Sequence, residues 1–118
     1  MKQREERLFN FVETPIFSRQ LDELASLETM IAIQEDLLAD PERWPVVKNT
    51  NGARKGRIAD PDSLGGKSGG FRYLYLYLEL RGRIHLLYLF DKRKQANLTA
   101  EQRKAIAAVV DAIKKSAK

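Results

Sequence analysis

The stretch from Phe71 to Phe90 constrains the fold of this chain more than any other. Between Phe71 and Leu80 the side chains alternate. Phe71, Tyr73, Tyr75, Tyr77 and Glu79 fall on one side, and Arg72, Leu74, Leu76, Leu78 and Leu80 on the other. A strand of this pattern is apolar on both faces. The turn around Gly82 leads into Arg83-Ile-His-Leu-Leu-Tyr-Leu-Phe90, which supplies the return limb of a hairpin. Such a hairpin belongs at the centre of a sheet.

The flanking segments provide the cover. Leu8 to Glu13 reads as a first strand and stops at Thr14-Pro15, where Thr caps a helix whose first position tolerates proline. That helix places Phe17, Leu21 and Leu24 on one stripe. A second follows with Leu27, Met30, Ile33, Leu37 and Leu38 to one side, ended by Asp40-Pro41 because the residue before proline avoids helical geometry. Residues 41 to 52 read as irregular connection, with Trp44 and Val46-Val47 available to cover the core edge. Ala53 to Ala59 is a short strand, and the loop from Asp60 to Gly70 is made of turn-forming residues. Thr99-Ala-Glu-Gln102 is a capping-box pattern opening a last helix with Ile106, Val109, Val110 and Ile113 on one stripe. The order β-α-α-β-β-β-α predicts an α+β domain: a mainly antiparallel four-stranded sheet, two N-terminal helices on one face and a C-terminal helix elsewhere. The sheet's other face is then partly free.

With 118 residues and 43% hydrophobic content, residues 1–118 are expected to form one domain around one core. The absence of cysteine excludes disulfides, thiolate nucleophiles and cysteine metal sites, and fits a cytoplasmic setting. No apolar run approaches the roughly 18 residues of a membrane span, so no membrane partner is expected. The net charge of +5 hides two opposite halves. Residues 1 to 40 hold four Lys/Arg against nine Asp/Glu, and the remainder seventeen against seven. Segregated positive charge steers and holds a polyanion, which points to RNA or DNA.

The cations cluster around one loop. Arg54, Lys55 and Arg57 lie on the short strand, Lys67 lies within the glycine-rich connection, and Arg72 opens the long strand. Lys55 and Arg57, two apart, project to one face. Metal-free RNA cleavage needs a group to take the 2′-hydroxyl proton, charge to stabilise the phosphorane and a donor for the leaving 5′-oxygen. With one histidine in the chain, clustered lysine and arginine are the available suppliers, and no cofactor is called for. Crowding by like charge favours a neutral amine, and Lys55 sits between Arg54 and Arg57. The plain alternative is a set of solvated edge residues. Lys92-Arg93-Lys94 forms a second basic group after the fourth strand, fit to grip a phosphate or to wet a turn.

Other features read as structural. His85 has no partner at metal or triad spacing and is expected to be packed or hydrogen-bonded at a sheet edge. Tyr73, Tyr75 and Tyr77 are expected beneath a helix rather than stacking bases, because their phase opposes that of Arg72. The glycines lack a GxxxxGK[ST] pattern.

In the order in which they stand, five blocks resemble the RelE/ParE superfamily of toxins from type II toxin–antitoxin modules, particularly its HigB-like branch. They are Phe11-Val-Glu-Thr-Pro-Ile-Phe17, Gly52-Ala-Arg-Lys-Gly-Arg-Ile-Ala59, Gly65-Gly-Lys-Ser-Gly-Gly-Phe-Arg72, Leu89-Phe-Asp-Lys-Arg93 and Leu98-Thr-Ala-Glu-Gln-Arg103. The resemblance implies a RelE-like fold and a metal-independent mRNA interferase. Such an endoribonuclease cuts messages in the ribosomal A site until a cognate helix-turn-helix antitoxin blocks it. By position it makes Lys55 and Arg57 the strand cations, Lys55 the better general base and Arg72 the phosphate-stabilising arginine. Lys92 and Arg93 become further cations, one assisting the leaving oxygen; Arg54, Lys67 and Lys94 would hold nucleic acid. Where family members carry a late tyrosine or histidine this chain reads Asn97-Leu98-Thr99, and Asp91 replaces a frequent glycine, so the final proton donor is unassigned. Two other readings stand beside this one: a ParE-like DNA gyrase poison, and a non-catalytic nucleic-acid-binding module.

Overall fold

A computed structural model describes residues 9–60 and 70–117. Four strands form one sheet: β1 (Asn10–Glu13), β2 (Arg54–Ile58), β3 (Phe71–Leu78) and β4 (Arg83–Asp91). Their spatial order is β1-β4-β3-β2, so the apolar hairpin β3–β4 occupies the middle as its two-sided hydrophobicity requires. Pairings β4–β3 and β3–β2 are antiparallel and β1–β4 is parallel. A short 3₁₀ turn, Glu79–Arg81, replaces the last residues expected of β3, and Gly82 at φ 60° closes it in the left-handed conformation that suits glycine.

Helices α1 (Pro15–Leu24) and α2 (Leu27–Ala39) begin where side-chain oxygens accept orphan amides: Thr14 from Phe17 and Ser26 from Thr29. Both lie on one face of the sheet. Phe17, Ile33 and Leu37 bury themselves against Phe71, Tyr73, Tyr75, Ile84, Leu86 and Leu89. A fully buried side chain of this size contributes about 1.5–3 kcal/mol. Helix α3 (Ala100–Ser116) starts with the complete capping box, Thr99 and Gln102 satisfying each other's backbone amides. It lies on the opposite face, where Ile106 and Val110 cover Leu74, Leu76, Leu87 and Phe90. The sheet is therefore covered on both faces, where one was expected to be partly free.

The tyrosines behave as core. Tyr73 and Tyr75 are fully buried beneath α1 and α2, and burial first of all pushes the Tyr75 phenol up to about 12. His85 departs from expectation in one respect: β4 is an interior strand, so the imidazole stands between Val12 and Leu76 rather than at an edge. Its Nε2 is buried and has no hydrogen-bond partner among the described residues. Burial, and then the Arg83 charge, holds its pKa below the usual histidine value.

Candidate nucleic-acid interface

β2 and β3 pair in the register Lys55↔Leu74, Gly56↔Tyr73, Arg57↔Arg72. Directly opposed residues share a face with Cβ atoms about 4.5–5.5 Å apart, so Arg57 and Arg72 project side by side. Lys55, two residues from Arg57, stands on the same face. The Arg72 guanidinium is held below the ordinary arginine range, first by burial and then by the Arg57 charge. Opposed like charges weaken a sheet, and an anion between them relieves the repulsion while accepting charge-assisted hydrogen bonds.

The remaining cations are dispersed. Arg54 is opposite Tyr75 and therefore on the α2 face. Its Nη1 donates to the carbonyls of Trp44 (2.6 Å) and Glu42 (3.0 Å), with the Glu42 carboxylate 3.9 Å from Nη2. It clasps the segment before β2 and does not join Lys55. The backbone amide of Lys92 donates to Gly70 O at 3.1 Å, extending the β3–β4 ladder, while its Nζ donates to Ala96 O at 3.1 Å. Arg93 is committed to carboxylates: Nε to Asp91 Oδ1 at 2.9 Å, and Nη2 to Asp91 Oδ2 and Asp60 Oδ2, both at 3.1 Å. These bonds hold the Asp91 carboxyl below the usual range and tie the end of β4 to the residues following β2. Lys94 is exposed in the turn, its amide donating to Asp91 O. Lys67 lies outside the described residues.

Beside the arginine pair the structure builds a feature that no single stretch of sequence announces. The Asp36 carboxylate, at the end of α2, accepts from Tyr73 OH (2.8 Å) and Trp44 Nε1 (2.6 Å), and it pairs with Arg43. The Arg43 guanidinium lies over the Trp44 ring, 4.5 Å from its centroid. Asp36, Arg43 and Trp44 form one wall of a cleft of ≈ 440 Å³; Arg57, Ile58 and Ala59 form another, and Arg72 completes the lining. Gly56 makes this junction possible. A Cβ there would stand 2.4 Å from Tyr73 Cζ and 2.6 Å from its hydroxyl, so only glycine lets Tyr73 lie flat against β2 and reach Asp36. An isolated glycine within a strand pattern is the signal that could have found this.

Among the described residues no group of three or more His, Asp or Glu is placed to hold a metal. No helix among them is long and apolar enough to cross a membrane.

This architecture, a mixed four-stranded sheet between two N-terminal helices and one C-terminal helix, is a RelE-like fold. A mutant of the E. coli toxin RelE, solved in the free state, superposes with a TM-score of 0.55 at 11% sequence identity, covering 75% of this chain and 87% of that one. No model of a known protein family matches the chain.

Proposed function

We propose that this chain is the toxin of a type II toxin–antitoxin module, of the HigB-like branch, and acts as a ribosome-dependent mRNA endoribonuclease without a metal. The observation that carries the reading is the direct opposition of Arg57 and Arg72 on adjacent strands of a RelE-like sheet, with Lys55 on the same face. In this reading the RNA 2′-hydroxyl attacks the adjacent phosphorus, and Lys55 takes the hydroxyl proton. Arg57 and Arg72 neutralise the phosphorane as charge develops. The 5′-oxygen leaves with a proton from Lys92, which directly follows β4. Arg93, bound by two carboxylates, positions that end of β4 instead. The partners are the ribosome with its message and a cognate helix-turn-helix antitoxin, all in the cytoplasm.

Expression with a reporter message, followed by mapping of 5′ ends, tests this reading. Codon-phased cuts are expected. Stalled supercoiling without cuts would identify a gyrase poison, and the absence of both effects would leave a binding module. Arg72→Ala should keep the fold and lose roughly 100-fold or more of the cleavage, the usual cost of removing one transition-state donor. Undiminished growth arrest by that folded variant would count against the assignment.

A further inference from the structure

We propose that Arg43, seated on Trp44, is a platform for a nucleobase, so that the cleft beside the arginine pair holds a complete nucleotide of single-stranded RNA rather than a phosphate alone. The assignment rests on the reading of Arg57 and Arg72 as phosphate holders. Three observations lead to it. The guanidinium of Arg43 is fixed on two sides, by the Trp44 ring beneath it and by Asp36 at its edge. Its side chain is nevertheless 54% exposed, so a ligand in the cleft can reach it. Arg43, Arg57 and Arg72 line the same cleft.

The chemistry of the wall favours a base there. Guanidinium planes stack on bases, and a plane already held in place loses little freedom when one arrives. Trp44 itself is half-buried against the core with its indole N–H donated to Asp36, so it anchors the platform from below. The Asp36 carboxylate does not repel the substrate's phosphate strongly, because Tyr73, Trp44 and Arg43 already surround it with donors. Stacking of this kind tolerates every base, so the subsite accepts a nucleotide without dictating its identity.

The experiment uses the full chain labelled with ¹⁵N and two probes, adenosine 5′-monophosphate and ribose 5-phosphate, which share the phosphate and differ by the base. Trp44 is the sole tryptophan, so one indole N–H resonance reports on the platform. The nucleotide should bind about tenfold more tightly than ribose 5-phosphate and should shift the indole resonance, which the sugar phosphate leaves in place. Arg43→Gln should remove that advantage while ribose 5-phosphate binds as before, and Arg72→Ala should weaken both probes. Equal affinity for the two probes in the unmodified chain, or an equal loss of both in Arg43→Gln, would overturn the platform. Message cleavage that still depends on Arg72 would then leave the nuclease reading standing by itself. Binding of the nucleotide with full base preference despite Arg43→Gln would also overturn it, placing the base elsewhere.

Discussion

At the scale of single residues, the glycine in Lys55-Gly56-Arg57 shows how a strand that carries the proposed phosphate-holding cations can be limited by the core behind it. Its neighbours face the proposed substrate, while the position of its absent side chain is filled by the Tyr73 ring. Tyr73 cannot retreat, being fully buried and bonded to Asp36. Gly56→Ala should therefore destabilise the protein by roughly 1–3 kcal/mol, the cost of overpacking a filled core, as read by denaturant unfolding. Unfolding at the unmodified midpoint would show that β2 moves freely. His85 sets a pH dependence whose sign follows from its environment. Its folded pKa lies below the ordinary 6.5, so just below that pH the unfolded chain binds more protons than the native one. Stability is then fully present above pH 6.5 and falls as acid charges the imidazole. Thermal unfolding at pH 7 and pH 5.5 should show this loss, and His85→Gln should flatten it. An equal slope in the variant would assign the effect to other groups.

At the scale of elements, the sequence marks starts and stops well because each has a local cause. Thr14-Pro15, Asp40-Pro41 and the Thr99–Gln102 box bound helices through groups only a few residues apart. The β-bulge was not legible. The register slips between Leu74 and Tyr75, so that Leu86 and Leu89 face α1 and α2 while Leu87 and Phe90 face α3. Leu86, Leu87 and Leu89 are chemically alike, and a row of like residues does not say where alternation breaks. The parallel pairing of β1 with β4 is likewise set by residues more than seventy positions apart. At the site, Arg57 and Arg72 were legible as a pair because both flank one loop. The period-two rule that unites Lys55 with Arg57 also sends Arg54 to the opposite face, where it holds Trp44 and Glu42. The Asp36–Arg43–Trp44–Tyr73 group was not legible, since it draws on α2, the connection after it and β3.

At the scale of the whole molecule, the sheet stands between the proposed phosphate-holding cations and the helices that carry Asp22, Glu23, Glu28 and Glu35, while Asp36 reaches the cleft lined by Arg57 and Arg72. The acidic helices α1 and α2 lie on one face, and Lys55, Arg57 and Arg72 project from the other. Charge laid out in this way predicts how binding responds to salt. Each phosphate neutralised on a single strand releases condensed counterions and contributes about −0.7 to the slope of log K against log salt concentration. Three or four clustered cations on the proposed face therefore imply a slope of roughly −2 to −3 for a short RNA made uncleavable by 2′-O-methylation. Arg72→Ala should make that slope shallower by about 0.7, whereas Glu23→Gln on the exposed side of α1 should leave it unchanged while raising affinity slightly through the weaker opposing field. Fluorescence anisotropy across a salt series measures both. An identical slope in the Arg72 variant would mean that phosphates meet the protein elsewhere, and a change in slope from Glu23→Gln would mean that the sheet does not keep the acidic face apart from the bound strand.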